Sequence, residues 1–303
     1  MLTDFKLMFP DPRPQRSPSR TLFFAIAVLL AWSLHPAAQL RPQPVGELPG
    51  QTSLSLLLRK LGSIGTFMQT DAHPDDEDNG LLAMLGQGQG MRTVLVTATR
   101  GEGGTDDPEA YPPELLARIR SRELAESLRV VGIAEHRWLR TPHPLVDGRL
   151  ADVPVEDGVG AVARLLIDVR PDLVVTFGPD GLTGHADHRT ISGWVTRAWE
   201  RTGAHGDLWY AALPPDFLDR WGELCAEHGV WMDGGPPEPV EPRNLVHVHT
   251  CAGPLMDRKY AALLAQRSQV EGLLHALTPE RYRTFLAEEC FRPGPAPRPM
   301  EAM

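Results

Sequence analysis

From residue 64 onward the hydrophobic positions of this 303-residue chain alternate between two patterns. Short apolar or β-branched runs read as strands: Ile64–Thr70, Thr93–Thr99, Leu173–Phe177 and, less regularly, Leu208–Leu213 and Leu245–His249, with Arg137–Arg140 as a further short strand. Between them lie stretches with helical spacing. Asp78–Gly86 reads as a helix capped by Asp78 or Asn79 and stopped by Gly86. Pro112–Val131 carries Leu115, Leu116, Ile119, Leu124, Leu128 and Val131 at helical intervals and is closed by Gly132. Val159–Val169 and Ile191–Arg201 follow, and Pro254–Leu277 reads as one long helix. Strands that alternate with helices of this length predict parallel pairing, hence an α/β doubly wound sheet. Ligands of such sheets sit at the carboxyl ends of the strands.

The N-terminal segment has a different character. Met1–Arg20 is rich in Pro and Arg, and Thr21–Leu34 is a continuous apolar run of about 14 residues, shorter than the roughly 20 of a membrane helix but within the range of a signal-peptide core. Arg13, Arg16 and Arg20 supply a positive flank, Ala37–Ala38 a cleavage site, and Met8 is an alternative start. The expectation is an exported chain, secreted, periplasmic or membrane-anchored; if the run is instead a hydrophobic helix packed on the domain, the protein is cytoplasmic. A Pro-rich linker, Arg41–Gly50, closes this segment. The organisation expected is residues 1–50 as signal or anchor and linker, 51–291 as one domain and 292–303 as a loose tail.

Composition narrows the function. A net charge of −9, with acidic and basic residues interleaved, gives no basic face for nucleic acid. Cys225, Cys251 and Cys290 have no Cys-x-x-Cys spacing, so they indicate neither a disulfide framework nor a thiolate zinc site.

Two clusters carry the chemistry. Asp71-Ala72-His73-Pro74-Asp75-Asp76-Glu77 follows the first strand, and Gly184-His185-Ala186-Asp187-His188 follows the Leu173–Phe177 strand. Either alone is a helix-terminal charge cluster or a pair of surface histidines. Both at corresponding strand ends place two imidazoles and a carboxylate around one point. His73 and Asp76, three apart on a tight turn, and His188 would form a His₂-carboxylate set with an open position, the arrangement of a catalytic zinc site. Asp75, beside the ligands, would take the water proton as general base. His185 would stabilise the oxyanion or protonate the leaving amine. Asp187 or Asp180 would orient an imidazole from behind, and Glu77 would cap the next helix or orient a ligand. His143, near Asp147, is a candidate to line the cleft. His247 and His249 share one face of a strand or form a separate pair, while His136, His205, His228 and His275 read as surface residues.

These residues resemble the LmbE-like (PIG-L) deacetylase family. The match continues through Thr97-Ala98-Thr99-Arg100-Gly101-Glu102-Gly103-Gly104, Arg120-Ser121-Arg122-Glu123-Leu124, Lys259-Tyr260-Ala261-Ala262 and Ser268-Gln269, spanning about Ile64 to Val270. The resemblance implies a Rossmann-like three-layer fold with a mostly parallel sheet. It also implies a Zn²⁺ centre, with Fe²⁺ as the alternative, and hydrolysis of the N-acetyl group of a small-molecule N-acetylglucosamine conjugate. It makes Arg120 and Asp147 substrate-binding residues, and the Gly101–Gly104 loop either a close approach to a ligand or a tight turn. Two positions depart from the family pattern. Asp71 stands where an apolar residue is usual, as a partner of a ligating histidine or exposed at the sheet edge. Thr183 stands where thiol-pathway members carry a tyrosine. The alternatives are an amidase for a larger amide, such as a thiol conjugate or acylated glycopeptide, and a non-catalytic carbohydrate-binding relative, which would be expected to lack Asp75 or His185. Nucleotide binding would need Gly-x-Gly-x-x-Gly after the first strand, where this chain has His-Pro-Asp-Asp.

Overall fold

The computed structural model describes residues 50–296 except 106, 134 and 229–236. The N-terminal apolar run and its export reading fall outside these residues; no described helix is long and apolar enough to cross a membrane. The elements run α1 (Gly50–Gly62), β1 (Thr66–Asp71), α2 (Asn79–Ala83) with a π turn to Gly88, β2 (Arg92–Thr97), α3 (Pro113–Val131) and β3 (Glu135–Trp138). They continue through α4 (Val155–Val169), β4 (Leu173–Thr176), α5 (Ala186–Thr202), β5 (Asp207–Ala212), α6 (Pro215–His228) and β6 (His247–Thr250). The last four are α7 (Gly253–Ala265), α8 (Arg267–Ala276), α9 (Pro279–Phe285) and β7 (Glu288–Pro293).

Seven strands form one sheet in the order β3-β2-β1-β4-β5-β7-β6. The first five are parallel, and β7 and β6 join antiparallel. Because side chains alternate across a strand, each central strand feeds two cores. Met68, Val94, Val96 and Val174 face α4 and α5, where Trp194 and Trp199 are buried. Phe67, Leu95 and Val175 face α2, α3 and α7. Each fully buried apolar side chain of this size contributes about 1.5–3 kcal/mol, so the two-sided burial fixes both faces of the sheet. A third cluster, with Phe217, Trp221, Tyr260 and Tyr282, joins α6, α7 and α9.

The sheet order reverses between β1 and β4, which pair through Phe67–Leu173, Met68–Val174 and Gln69–Val175. That is the crevice where open α/β sheets bind ligands, and both histidine clusters leave strands that border it.

Several expectations shift. The stretch read as one helix over Pro254–Leu277 is two, α7 and α8, broken at Gln266 (φ −83°, ψ 47°). Hydrophobic spacing continues across the break, but the Gln266 side chain turns inward and is 1% exposed. Helices α1, α6 and α9 and strand β7 are elements that the sequence pattern above does not predict. β7 runs to Pro293, into the stretch read as loose. Neither Asp78 nor Asn79 supplies a side-chain cap to α2. The Glu289 carboxylate on β7 does so instead, accepting from Gly80 N (3.0 Å) and Leu81 N (2.7 Å).

Candidate metal centre and active site

The loop after β1 is built by its own carboxylates. One oxygen of Asp76 (Oδ2) accepts from the backbone N–H of Ala72 (3.2 Å) and His73 (2.8 Å). Gln69, buried on β1, donates to the Asp76 carbonyl (3.4 Å) and accepts from Asp78 N (3.3 Å). The Glu77 side chain does not cap α2; it accepts from Asp75 N (3.1 Å) and Gln266 Nε2 (3.4 Å). Burial lifts its carboxyl to about 7 against the Asp75 hydrogen bond. The tight turn forces Asp75 to φ 94°, a backbone state that costs energy for a residue with a Cβ and clusters at functional sites.

The two candidate ligand histidines are fixed from their outer nitrogens. Nε2 of His73 lies 3.0 Å from Asp147 Oδ1 and 3.2 Å from Asp187 Oδ2. Nδ1 of His188 lies 3.1 Å from both the Gly181 carbonyl and Thr183 Oγ1. Such acceptors keep the proton on the outer nitrogen and leave the inner lone pair for a metal. The inner atoms converge: His73 Nδ1 and His188 Nε2 are 3.4 Å apart, Asp76 Oδ2 is 3.4 Å from the first and Asp76 Oδ1 3.3 Å from the second. Tetrahedral zinc with bonds of about 2.0–2.1 Å has ligand edges of about 3.3–3.4 Å; the two nitrogens meet that spacing, and Asp76 meets it through a different oxygen toward each ring, so it would approach a cation with both oxygens. All three are at most 2% exposed.

His185 is the N-cap of α5, its Nδ1 accepting from Asp187 N (3.1 Å). Its ring centroid is 4.9 Å from those of both His73 and His188, close enough to offer an alternative ligand in place of Asp76. With Nδ1 used as an acceptor, a neutral His185 carries its proton on Nε2 and is a donor, which suits an oxyanion or a leaving group better than a metal.

Arg120 and Asp147 are tied into the protein. Arg120, 2% exposed, reaches Asp75 Oδ1 (2.6 Å), the Pro74 carbonyl (2.6 Å) and the Gly101 carbonyl (2.9 Å). The glycine loop exists for this guanidinium: a Cβ at Gly101 or Gly104 would come within 2.2 or 2.3 Å of it. Asp147 accepts from His73 and from Gly103 N (2.9 Å). Burial raises its carboxyl, but the His73 hydrogen bond and charge, with Arg120 and Gly103, outweigh burial and hold it at about 2.

The remaining expectations sort cleanly. Asp187, fully buried, orients His73 and accepts from Gly148 N (2.7 Å) and Leu150 N (3.0 Å), binding the 147–150 loop to the centre. Asp180 does not share that task; it faces Arg292 at 3.6 Å. Asp71 is 1% exposed and bonds Gln69 Nε2 (2.9 Å), so it is neither at an exposed edge nor paired with a histidine; burial first, then Asp76, Glu77 and Asp78, push its carboxyl well above the usual range. His143 pairs with Asp157 on the exposed side instead of lining the cleft. His136 is half-buried against Thr97 Oγ1 rather than on the surface. His247 and His249 stack in parallel, 6.4 Å apart, on one face of β6. Sequence reasoning missed Gln69 and Gln266, buried amides whose only signal was a polar residue within an apolar pattern.

Fold and site together define a doubly wound α/β protein with a hydrolase-like His₂-carboxylate centre at the sheet's switch point. The chain belongs to the PIG-L family: the GlcNAc-PI de-N-acetylase profile matches residues 68–199, and full-length relatives extend the similarity. A 1D-myo-inositol 2-acetamido-2-deoxy-alpha-D-glucopyranoside deacetylase of Kineococcus radiotolerans is 31% identical over 89% of this chain and 86% of the relative. A protein of the same name from Saccharomonospora viridis is 32% identical over 66% of this chain and 83% of the relative. The structure of N,N'-diacetylchitobiose deacetylase from Pyrococcus horikoshii shares the fold, with TM-score 0.54 and 19% identity over 82% of this chain and 94% of that one.

Proposed function

We propose that the protein is a zinc-dependent N-deacetylase that hydrolyses the acetamide of an N-acetylglucosamine-type conjugate to the free amine and acetate. The observation that carries this is the convergence of His73 Nδ1, Asp76 and His188 Nε2 with Asp75 beside them, in a chain whose relatives are named as deacetylases of such a conjugate. A divalent cation held by His73, Asp76 and His188 would polarise the amide carbonyl and acidify the attacking water. Asp75 accepts the water proton. Its carboxylate is kept in place by the Arg120 guanidinium and its backbone by Glu77. As the carbonyl oxygen gains charge, the His185 N–H stabilises it, and a proton delivered by His185 or Asp75 releases the amine. Arg120 and Asp147 would meet substrate only by exchanging contacts they make now, so we assign them first to positioning Asp75 and His73.

One feature favours the amidase reading as second choice. A cavity of about 340 Å³ borders Asp75 and Glu77 and continues past Leu182 to Phe217 and Phe285, giving room for an acyl group larger than acetyl.

The test is acetate release from N-acetylglucosamine and its inositol conjugate by purified protein, before and after chelation and with Zn²⁺ restored. Metal-dependent acetate is expected. Release only from longer N-acyl amines would establish the amidase, and metal-independent activity would refute the centre.

A further inference from the structure

A second cluster of metal-ligating side chains lies on the antiparallel edge of the sheet, where β6 and β7 meet the start of α2. His249, Cys251 and Glu289 are all buried, and one ligand atom of each lies within 4.8 Å of the others. Cys251 was set aside on spacing alone; the fold brings it a histidine from two residues upstream and a carboxylate from the neighbouring strand.

Three observations point to a ligand there. His249 is 8% exposed, and its Nε2 is buried without a hydrogen-bond partner among the described residues. Burial lowers the basicity of the ring, so a neutral imidazole with an available lone pair is favoured. Glu289 retains capacity: Oε1 takes Gly80 N and the Lys259 ammonium (2.8 Å), whereas Oε2 takes only Leu81 N among the described residues, and a carboxylate oxygen accepts twice. Gly80 also makes room for the thiol, since a Cβ there would lie 2.2 Å from Cys251 Sγ. A merely structural cap by Glu289 explains the α2 amides and Lys259, but not the orphaned imidazole nitrogen.

We propose that His249 Nε2, Cys251 Sγ and Glu289 Oε2 form a second site for a thiophilic divalent cation, Zn²⁺ above all, that pins the β6–β7 edge to the N-terminus of α2. Zinc with Zn–N, Zn–O and Zn–S bonds needs ligand separations of about 3.3–3.6 Å, so the side chains close by up to about 1 Å on binding. Burial, together with Glu289, lifts the Cys251 thiol to about 12; binding therefore releases one thiol proton, M²⁺ replacing H⁺. Lys259 opposes the incoming charge, the thiolate offsets it, and Asp78 also faces this group. The site does not depend on the proposed deacetylase reaction.

The test is titration of the chelated full-length protein with Co²⁺, read by the thiolate-to-cobalt charge-transfer absorption in the near ultraviolet. The band is expected to saturate at an intensity of one thiolate-bound Co²⁺ per chain, by two equivalents in total, since the first centre takes up the other ion. It should vanish in Cys251→Ser and His249→Ala and persist in Cys225→Ser, Cys290→Ser and Asp76→Asn. No band in the wild type overturns the site without needing any variant to fold. A band that survives Cys251→Ser overturns it equally.

Discussion

Gly104→Ala isolates the link between the glycine loop and Asp75, the proposed base. The new methyl would sit 2.3 Å from Arg120 Nη1 and 3.2 Å from Gln269 Oε1. Gly104 is not in the positive-φ region that Gly101 occupies (φ 66°), so alanine adds a steric contact and no backbone strain. Ordinary contact requires Nη1 to retreat by about 1 Å. The guanidinium has nowhere to go without loss, because the Gly101 and Pro74 carbonyls and Asp75 Oδ1 hold it at 2.9, 2.6 and 2.6 Å. Losing one hydrogen bond to a charged group costs about 1.5–3 kcal/mol, which for a domain of this size lowers Tm by roughly 3–6 °C. Arg120 carries Asp75 with it, and a misplacement of about 1 Å at the reacting groups costs on the order of 100-fold in rate. We therefore expect kcat for acetate release to fall about 100-fold with metal content unchanged. Gly103→Ala is the control: the atoms nearest its Cβ belong to Asp147 and lie no closer than 3.3 Å, and activity should remain within about threefold of wild type. A Gly104→Ala enzyme with wild-type kcat and Tm would show that the guanidinium does not hold the base.

Three further outcomes are expected. Asp75→Ala should keep its zinc by elemental analysis while turnover drops about 10²–10⁴-fold; loss of the metal as well would mean that Asp75 is misassigned. Asp187→Asn should weaken zinc binding about 10–100-fold in competition with a chelating dye, because the amide cannot accept from His73, Gly148 and Leu150 together; unchanged affinity would detach Asp187 from the centre. Burial, and then the nearby Arg100 charge, lower His136 from an ordinary 6.5 to about 4. The unfolded chain thus binds the proton first, so the stability tied to a neutral His136 is complete above pH 6.5 and is lost as pH falls toward 4. Urea midpoints for His136→Gln should change less between pH 7 and 5 than those of wild type, and parallel pH profiles would refute the assignment.

The strands of the parallel core were legible because burial on both faces demands continuous apolar runs, as in Thr93–Thr99 and Leu173–Phe177. The ends of helix α3 were legible because Pro113 and Gly132 meet local backbone needs: Pro at the first turn, and a left-handed residue (φ 87°) whose N–H bonds the Leu128 carbonyl. The C-terminal third was read poorly. Its helices pack through one narrow cluster, and the break at Gln266 answers a demand from Glu77, 189 residues away, that leaves no local trace.

By itself, then, the sequence determined the parallel sheet and the switch-point crevice, and it singled out His73, Asp76 and His188, which the fold brings together. These follow from periodicity and from donor types clustered within a single turn, both of which are short-range. Only the tertiary structure decided which donors stand behind them. Asp187 rather than Asp180 orients His73, Arg120 holds Asp75, and Glu289 caps α2 beside His249 and Cys251. Each of these pairings joins residues far apart in the chain. A carboxylate's role depends on which cation or amide the fold brings within 3 Å of it, and packing alone sets that distance.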